Sequence, residues 1–242
     1  MQRRTLTAII PARLDSTRLP NKVILDINGK PMIQHVYESV KRIKGIDQVI
    51  VATDSQEVLD IVIGFKGYGV ITSADHICGT DRIAEVSKLV ESDLILNVQA
   101  DEPLIKPKHL LPLIELAQGE DFKIGTTITS IDTLQEYRDQ NVVKVVTQLE
   151  GKCLYFSRGD IPYNRSNARD FSLAKRHIGI YCFAKDVLEE IVALPPSPLE
   201  ECEKLEQLRW LQHGFPIQSV EIDGDLISVD TEDDLAAVRK LI

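Results

Sequence analysis

The stretch RLDSTRLPNKVI, residues 13–24, puts Arg13, Arg18 and Lys22 within ten residues, directly after the apolar run LTAIIPA. An arginine offers a planar fork of donors that matches phosphate oxygens, and a lysine adds a point charge. Three such cations suffice to neutralise a triphosphate; by composition alone, a solvated basic loop is the plainer reading. The loop is neither a Walker A sequence, G-x-x-x-x-G-K-[ST], nor a G-x-G-x-x-G turn. A second set of chemical groups lies in LILNVQADEP, where Asp101 and Glu102 follow an apolar strand. Magnesium takes oxygen ligands and shares one or two carboxylates with substrate phosphates, and Asp101 is the better placed of the pair. Gln99, beside it, offers a donor and an acceptor, and reads equally as a solvent-facing amide. Asp230 stands among acids at a helix start, where negative charge is favourable whatever the function. Thr231 and Asp234 have capping-box spacing, which leaves Asp230 just outside the cap.

These groups need a frame. Strand-like apolar runs at 5–11, 48–53, 94–98, 143–147 and 178–183 alternate with helix-patterned segments near 31–43, 55–65, 80–91 and 108–117. That alternation predicts an α/β fold with a mostly parallel sheet. In such sheets ligands collect beyond the carboxyl ends of strands, which is where the basic loop and Asp101 both fall. After Pro31, the spacing of Met32, Ile33, Val36, Tyr37, Val40 and Ile43 gives one buried helix face. A further helix is expected to begin at SPLEECEKLEQLRWL, where Ser197 and Glu200 have capping-box spacing and Pro198 suits the first turn. Its apolar Cys202, Leu205 and Leu208 are expected to face inward, with Glu206 and Gln207 on the polar side. A last helix starts at TEDDLAAVRKLI. Between about 150 and 200, prolines and asparagines break the chain into turns and short strands, which reads as a smaller lobe inserted in one domain spanning 1–242.

Composition narrows the function. The 242 residues are 43% hydrophobic and 27% charged, ordinary for a folded globular chain and unlike a disordered one. No uninterrupted apolar stretch approaches the roughly 18 residues of a membrane span, and the start MQRRTLTAII meets a core strand too soon for a cleaved leader. A cytoplasmic location is expected. Cys78, Cys153, Cys182 and Cys202 lie far apart with no C-x-x-C pair, so neither a zinc knuckle nor a redox motif is indicated. The net charge of −9 argues against a nucleic-acid binder. Charge is nonetheless uneven, because residues 1–44 carry nine Lys/Arg against three Asp/Glu. The basic excess surrounds the opening loop.

The segment IIPARLDSTRLPNKVILDINGKPMIQHV resembles the opening signature of the 3-deoxy-manno-octulosonate (Kdo) cytidylyltransferases, also called CMP-Kdo synthetases. Further matches follow in order: VATDS, TSADHICGTDRIAEV, LILNVQADEPLI, VVKVV, LYFSRGDIPY, RHIGIYCF, PPSPLEECEKLEQLRWL and VDTEDDLAAV. They cover nearly the whole chain. The resemblance implies a Rossmann-like nucleotidyltransferase fold and a magnesium-dependent reaction of CTP with Kdo. The products are CMP-Kdo, for lipopolysaccharide biosynthesis, and pyrophosphate; a homodimer, with the 150–200 lobe as an interface, is also implied. It also implies roles. Arg13, Arg18 and Lys22 would contact the CTP phosphates, Arg13 and Lys22 foremost; Asp101 and Asp230 would hold Mg2+; Ser73, Gly79, Arg82 and Gln99 would hold the nucleotide. For the sugar acid it implies Gln99, Arg158, His177, Tyr181, Glu206 and Gln207, with Arg158 paired to the substrate carboxylate. From the residues alone, a turn capping a helix accounts for 72–82 and solvation accounts for Glu206 and Gln207. His177 and Tyr181, four apart, share a face on a strand as well as on a helix, and HIGIYCF favours the strand.

The chain departs from the family pattern at Ala100 and Ser228, where glycine is usual, and at Asn21 and Val23. Ala100 and Ser228 keep open an 8-amino derivative of Kdo as the sugar. More distant alternatives are a sialic-acid-like sugar and a non-catalytic CTP-binding regulatory relative. Retention of both Asp101 and Asp230 counts against the last.

Overall fold

The computed structural model describes residues 3–14, 19–167, 169–224 and 226–242. In chain order the first elements are β1 (Leu6–Ala12), a 3-10 turn (Lys22–Ile24), β2 (Asp26–Ile27), β3 (Lys30–Pro31), α1 (Met32–Lys41) and β4 (Gln48–Thr53). Then follow α2 (Gln56–Gly64), β5 (Gly69–Ile71), α3 (Gly79–Ser87), β6 (Leu94–Asn97), α4 (Pro107–Ala117), β7 (Ile124–Ser130) and α5 (Leu134–Arg138). The rest are β8 (Lys144–Thr147), β9 (Cys153–Ser157), β10 (Lys175–Ala184), α6 (Lys185–Val192), α7 (Pro198–Glu203), α8 (Gln207–Gln212), β11 (Ile217–Glu221) and α9 (Glu232–Arg239). The chain forms two compact units, one running to Leu111 and resuming after Gly224, the other spanning Pro112–Gly224. The lobe expected at 150–200 lies inside the second.

The first unit is the parallel α/β layer that the sequence pattern predicts. β1 is flanked by β4 and β6, with Ile9 opposite Ile50 on one side and Asn97 on the other, and β5 pairs beyond β4. Every residue of β1 is buried, as a central strand covered on both faces requires. The buried stripe of α1 is Met32, Ile33, Val36, Tyr37 and Val40, the face its spacing predicts. α9 and the segment entering it complete the unit, with Val229, Leu235 and Val238 in one buried cluster with Leu19, Ile27 and Met32. That apolar contact brings the C-terminal segment beside the basic loop. Arg239 reinforces it by donating to the Asp26 carbonyl at 2.7 Å.

In the second unit β7 pairs β11 in parallel and β10 antiparallel, and β8 joins β10 to β9. The β7–β10 ladder is irregular between Ile178 and Tyr181. The single helix expected from Ser197 to Leu211 is instead two, because Lys204 turns left-handed at φ 54° between α7 and α8. The helix start is as expected, with the Glu200 carboxylate accepting from Ser197 N–H. All four cysteines are free thiols; Cys153 and Cys182 are buried, Cys78 half-buried and Cys202 exposed rather than inward-facing.

Candidate active site

In the first unit, loops leaving the carboxyl ends of β1 and β6 and the segment entering α9 meet. Arg13 follows β1, and Lys22 opens the 3-10 turn behind Asn21, whose left-handed backbone (φ 55°) reverses the chain. Lys22 Nζ donates to Asp101 Oδ2 at 2.6 Å and to Asp230 Oδ1 at 2.9 Å. Its side chain is only 11% exposed. Burial alone would lower the pKa of this ammonium, but Asp101 and then Asp230 outweigh it and hold the value above the ordinary one. The carboxylates are kept in register by the backbone, since Val229 N–H donates to the Asp101 carbonyl at 3.0 Å. Asp230 N–H in turn donates to the capping carboxylate of Asp234 at 3.1 Å.

Beside this triad is a cavity of about 160 Å³ lined by Pro11, Arg13, Lys22, Val23, Gln99, Ala100 and Asp101. Arg13 Nη2 is buried with no hydrogen-bond partner among the described residues. A buried, unpaired guanidinium nitrogen is costly unless an anion meets it. Two carboxylates already sharing one cation, next to an unsatisfied cationic donor, suit a divalent metal together with a phosphate. Among the described residues no group of three or more His, Cys, Asp or Glu stands together as a metal cage, so the Asp101–Asp230 pair would share a metal with substrate oxygens. Arg18 lies outside the described residues.

The loop expected to hold the nucleotide is organised by Arg82, with a difference from the expected contact. Arg82 is fully buried, pairs with Asp54 at 2.6 Å, and donates to Thr72 Oγ1 and the Ser73 carbonyl. Its charge therefore serves the loop from beneath. Ser73 is exposed; its N–H donates to Glu85 at 3.0 Å and its hydroxyl to Asp75 at 3.2 Å. His76 hydrogen-bonds the same Glu85 carboxylate, whose pKa falls through that bond first and Ser73 N–H second. At Gly79 an added Cβ would meet Pro11 Cγ at 3.3 Å, so the start of α3 lies close against the end of β1.

The residues expected at the sugar acid lie in the second unit. His177 and Tyr181 are on one strand, β10, as the sequence favoured. Gly179 and Ile180 are two extra residues on β10 between Ile178 and Tyr181, opposite the step from Thr127 to Thr126, and the rings of His177 and Tyr181 approach to 5.3 Å. Phe156 meets His177 edge-on, and Phe183 and Trp210 pack on Tyr181. The Thr126 hydroxyl donates its one hydrogen to the Ile180 carbonyl at 2.8 Å, so it accepts from His177 Nε2 at 3.0 Å. Burial first, and Arg176 second, lower the His177 pKa to about 3, leaving a neutral ring with Nδ1 as its acceptor. The Tyr181 hydroxyl is buried beside the Thr126 side chain, and burial first, with the Glu206 carboxylate second, drives its pKa well above the ordinary value.

Two expectations change here. Arg158 does not present a free fork: Nε donates to the Glu203 carbonyl at 2.8 Å and Nη1 to the Gln140 carbonyl at 2.9 Å. Gln207 is not on a solvated face but buried at 3% exposure, because the break at Lys204 re-phases α8. Sequence reasoning also passed over Asp54, Lys144 and Glu203. The Asp54–Arg82 ion pair, the Lys144 bond to the Arg158 carbonyl and the Glu203 carboxylate's bond to Ser157 Oγ span 14 to 46 residues of chain and leave no local pattern.

Residues 7–222 match the family model described as cytidylyltransferase. The chain is 48% identical to a 3-deoxy-manno-octulosonate cytidylyltransferase of Syntrophotalea carbinolica, over 97% of each chain. It is 45% identical to the enzyme of that name from Geobacter sulfurreducens, over 96% of this chain and 97% of the other. Among solved structures it is similar to a CMP:2-keto-3-deoxy-manno-octonic acid synthetase complexed with CTP, at TM-score 0.92 and 40% identity over 98% of both chains. A 4-diphosphocytidyl-2C-methyl-D-erythritol synthase from Anaerococcus prevotii, 16% identical at TM-score 0.65 over 98% of this chain and 96% of that one, shares the fold.

Proposed function

The chain belongs to the cytidylyltransferase family, and from that premise we propose that it activates 3-deoxy-D-manno-octulosonate with CTP, giving CMP-Kdo and pyrophosphate. The carrying observation is Lys22 held between Asp101 and Asp230 beside the unpaired Arg13 Nη2. The anomeric hydroxyl of the sugar attacks the α-phosphorus in line, its proton passing to solvent as the bond from the α-phosphorus to the pyrophosphate oxygen breaks. The protein's part is positioning and charge compensation. Arg13 and Lys22 bind phosphate oxygens and take up the negative charge that develops on the leaving pyrophosphate. Mg2+, when bound, would be held by Asp101 and Asp230 and would offset phosphate charge. Ser73 and Gly79 shape the nucleotide loop over Arg82, and Gln99 lies at the cavity wall. On the second unit Tyr181, neutral His177, Glu206 and Gln207 orient the sugar acid, and Arg158 supplies positive charge near it.

A cytoplasmic homodimer serving lipopolysaccharide biosynthesis is the setting that the sequence resemblance implies for this activity. No helix among the described residues is long and apolar enough to cross a membrane. The test is pyrophosphate release from CTP and Mg2+, with Kdo and its 8-amino analogue at matched concentrations. Release with Kdo is expected. Release with neither sugar refutes the assignment, and preference for the amino sugar moves the substrate to that analogue and makes Ala100, on the cavity wall, the first position to change.

A further inference from the structure

The run from Ser197 to Leu211 has the pattern of one helix, yet it breaks at Lys204, with φ 54° and ψ 48°. A residue with a Cβ does not choose the left-handed region on its own account. Glu203, immediately before, is the residue tied elsewhere. Its carboxylate accepts from Ser157 Oγ at 2.7 Å, from Arg158 N–H at 2.9 Å and from Tyr155 OH at 3.4 Å. Its carbonyl accepts from Arg158 Nε at 2.8 Å, and the Lys204 carbonyl from Arg158 Nη2 at 3.5 Å. The anchor is itself held from behind. The fully buried Lys144 ammonium donates to the carbonyls of Asp139 at 2.9 Å, Val142 at 2.7 Å and Arg158 at 2.8 Å. Each ammonium hydrogen thus has a carbonyl, and the end of β9 is fixed on both sides.

The break matters because it sets the phase of α8. In an unbroken helix Gln207 would share the face of Glu203, four residues earlier. As built, Gln207, Leu208 and Trp210 are buried together, and Trp210 meets Tyr181 at 5.1 Å and Phe183 at 5.4 Å.

We propose that Glu203 is a positioning residue for sugar recognition: by tying the end of α7 to Ser157 and Arg158 it breaks the helix at Lys204 and sets Glu206, Gln207 and Trp210 against β10. The assignment rests on the reading above that Tyr181, Glu206 and Gln207 meet the sugar acid. Trp210 is the one tryptophan of the chain, so its emission and near-ultraviolet dichroism report the placement of α8 without substrate.

The experiment uses full-length Glu203→Ala, and Glu203→Gln should the alanine variant not fold. A shifted Trp210 signal at unchanged far-ultraviolet dichroism is expected, with KM for the sugar raised about tenfold, as for outer positioning groups generally, and KM for CTP and kcat within about twofold. Adding Lys204→Gly, which accepts the left-handed backbone freely, is expected to restore part of the sugar KM. An unchanged Trp210 signal overturns the proposal, as do KM values for CTP and sugar that rise together. If the wild-type enzyme turns over no sugar, the functional reading fails, and the Trp210 signal still decides the role of Glu203.

Discussion

Lys22 Nζ donates to Asp101 Oδ2 over 2.6 Å, across 79 residues of chain, and the same ammonium reaches Asp230. The cation expected to meet phosphate and the carboxylates expected to meet metal thus form one network. Substrate binding must divide it, since phosphate and carboxylate compete for the ammonium and Lys22 and Mg2+ compete for the carboxylates.

Asp101→Asn and Asp230→Asn are therefore each expected to lower turnover by about 100-fold or more, the scale for losing one preorganised charge. The fold should persist, because each amide keeps the shape and an acceptor for Lys22. Pyrophosphate release across a magnesium titration checks this. Wild-type rates in both variants at limiting magnesium would remove the two-carboxylate site.

Arg13 predicts opposite effects on stability and binding. Its Nη2 has no hydrogen-bond partner among the described residues, and a buried unpaired donor costs about 1–3 kcal/mol. Arg13→Met should leave the free protein as stable as wild type or more so, while KM for CTP rises about tenfold or more for the lost charge-assisted bond. Denaturant unfolding and steady-state kinetics on one preparation decide it. A clear loss of stability would mean that Arg13 is structural.

For Arg82 the order is reversed. The side chain is fully buried against Asp54, and removing one partner of such a pair costs about 3–5 kcal/mol. Arg82→Met and Asp54→Ala should both destabilise on that scale in chemical unfolding. A stable Arg82→Met with poor CTP binding would instead favour direct contact with the nucleotide.

His177 gives a pH signature. Its folded pKa of about 3 lies below the ordinary value, so the unfolded chain takes up a proton first on acidification. The sign follows: the contribution is absent above the ordinary histidine value and destabilises progressively as pH falls towards 3, by about 1.4 kcal/mol per pH unit at most. His177→Gln should flatten the slope of unfolding free energy between about pH 6 and 4. Carboxylates such as Glu203 and Glu200 steepen acid loss in both proteins and cancel in the comparison. Parallel slopes would show that the ring is charged in the fold.

Much of the frame was legible from local pattern. The alternation of apolar runs marked the parallel strands β1, β4 and β6, and the period of α1 marked its buried face, because burial on one or both sides is written into residue order. Ordered motifs across the chain carried the family, and with it the reaction and the loops where phosphate and metal chemistry belong. β7 was hidden, since IGTTITS places threonines at buried positions where apolar residues announce a strand. The broken helix was hidden for another reason. Its amphipathic period is intact, and what interrupts it is Glu203 reaching back 46 residues to Ser157. In the same way, sequence named Arg13, Lys22, Asp101 and Asp230 by type and place, while only the tertiary fold decided that Lys22 bridges both carboxylates and that Arg13 keeps a nitrogen unpaired. It also decided that Arg82 turns its two terminal nitrogens to Asp54, Thr72 and Ser73, and Arg158 its donors to the Glu203 and Gln140 carbonyls. Residue type sets what a group can bond, and distance in the folded chain sets which of its possible partners wins.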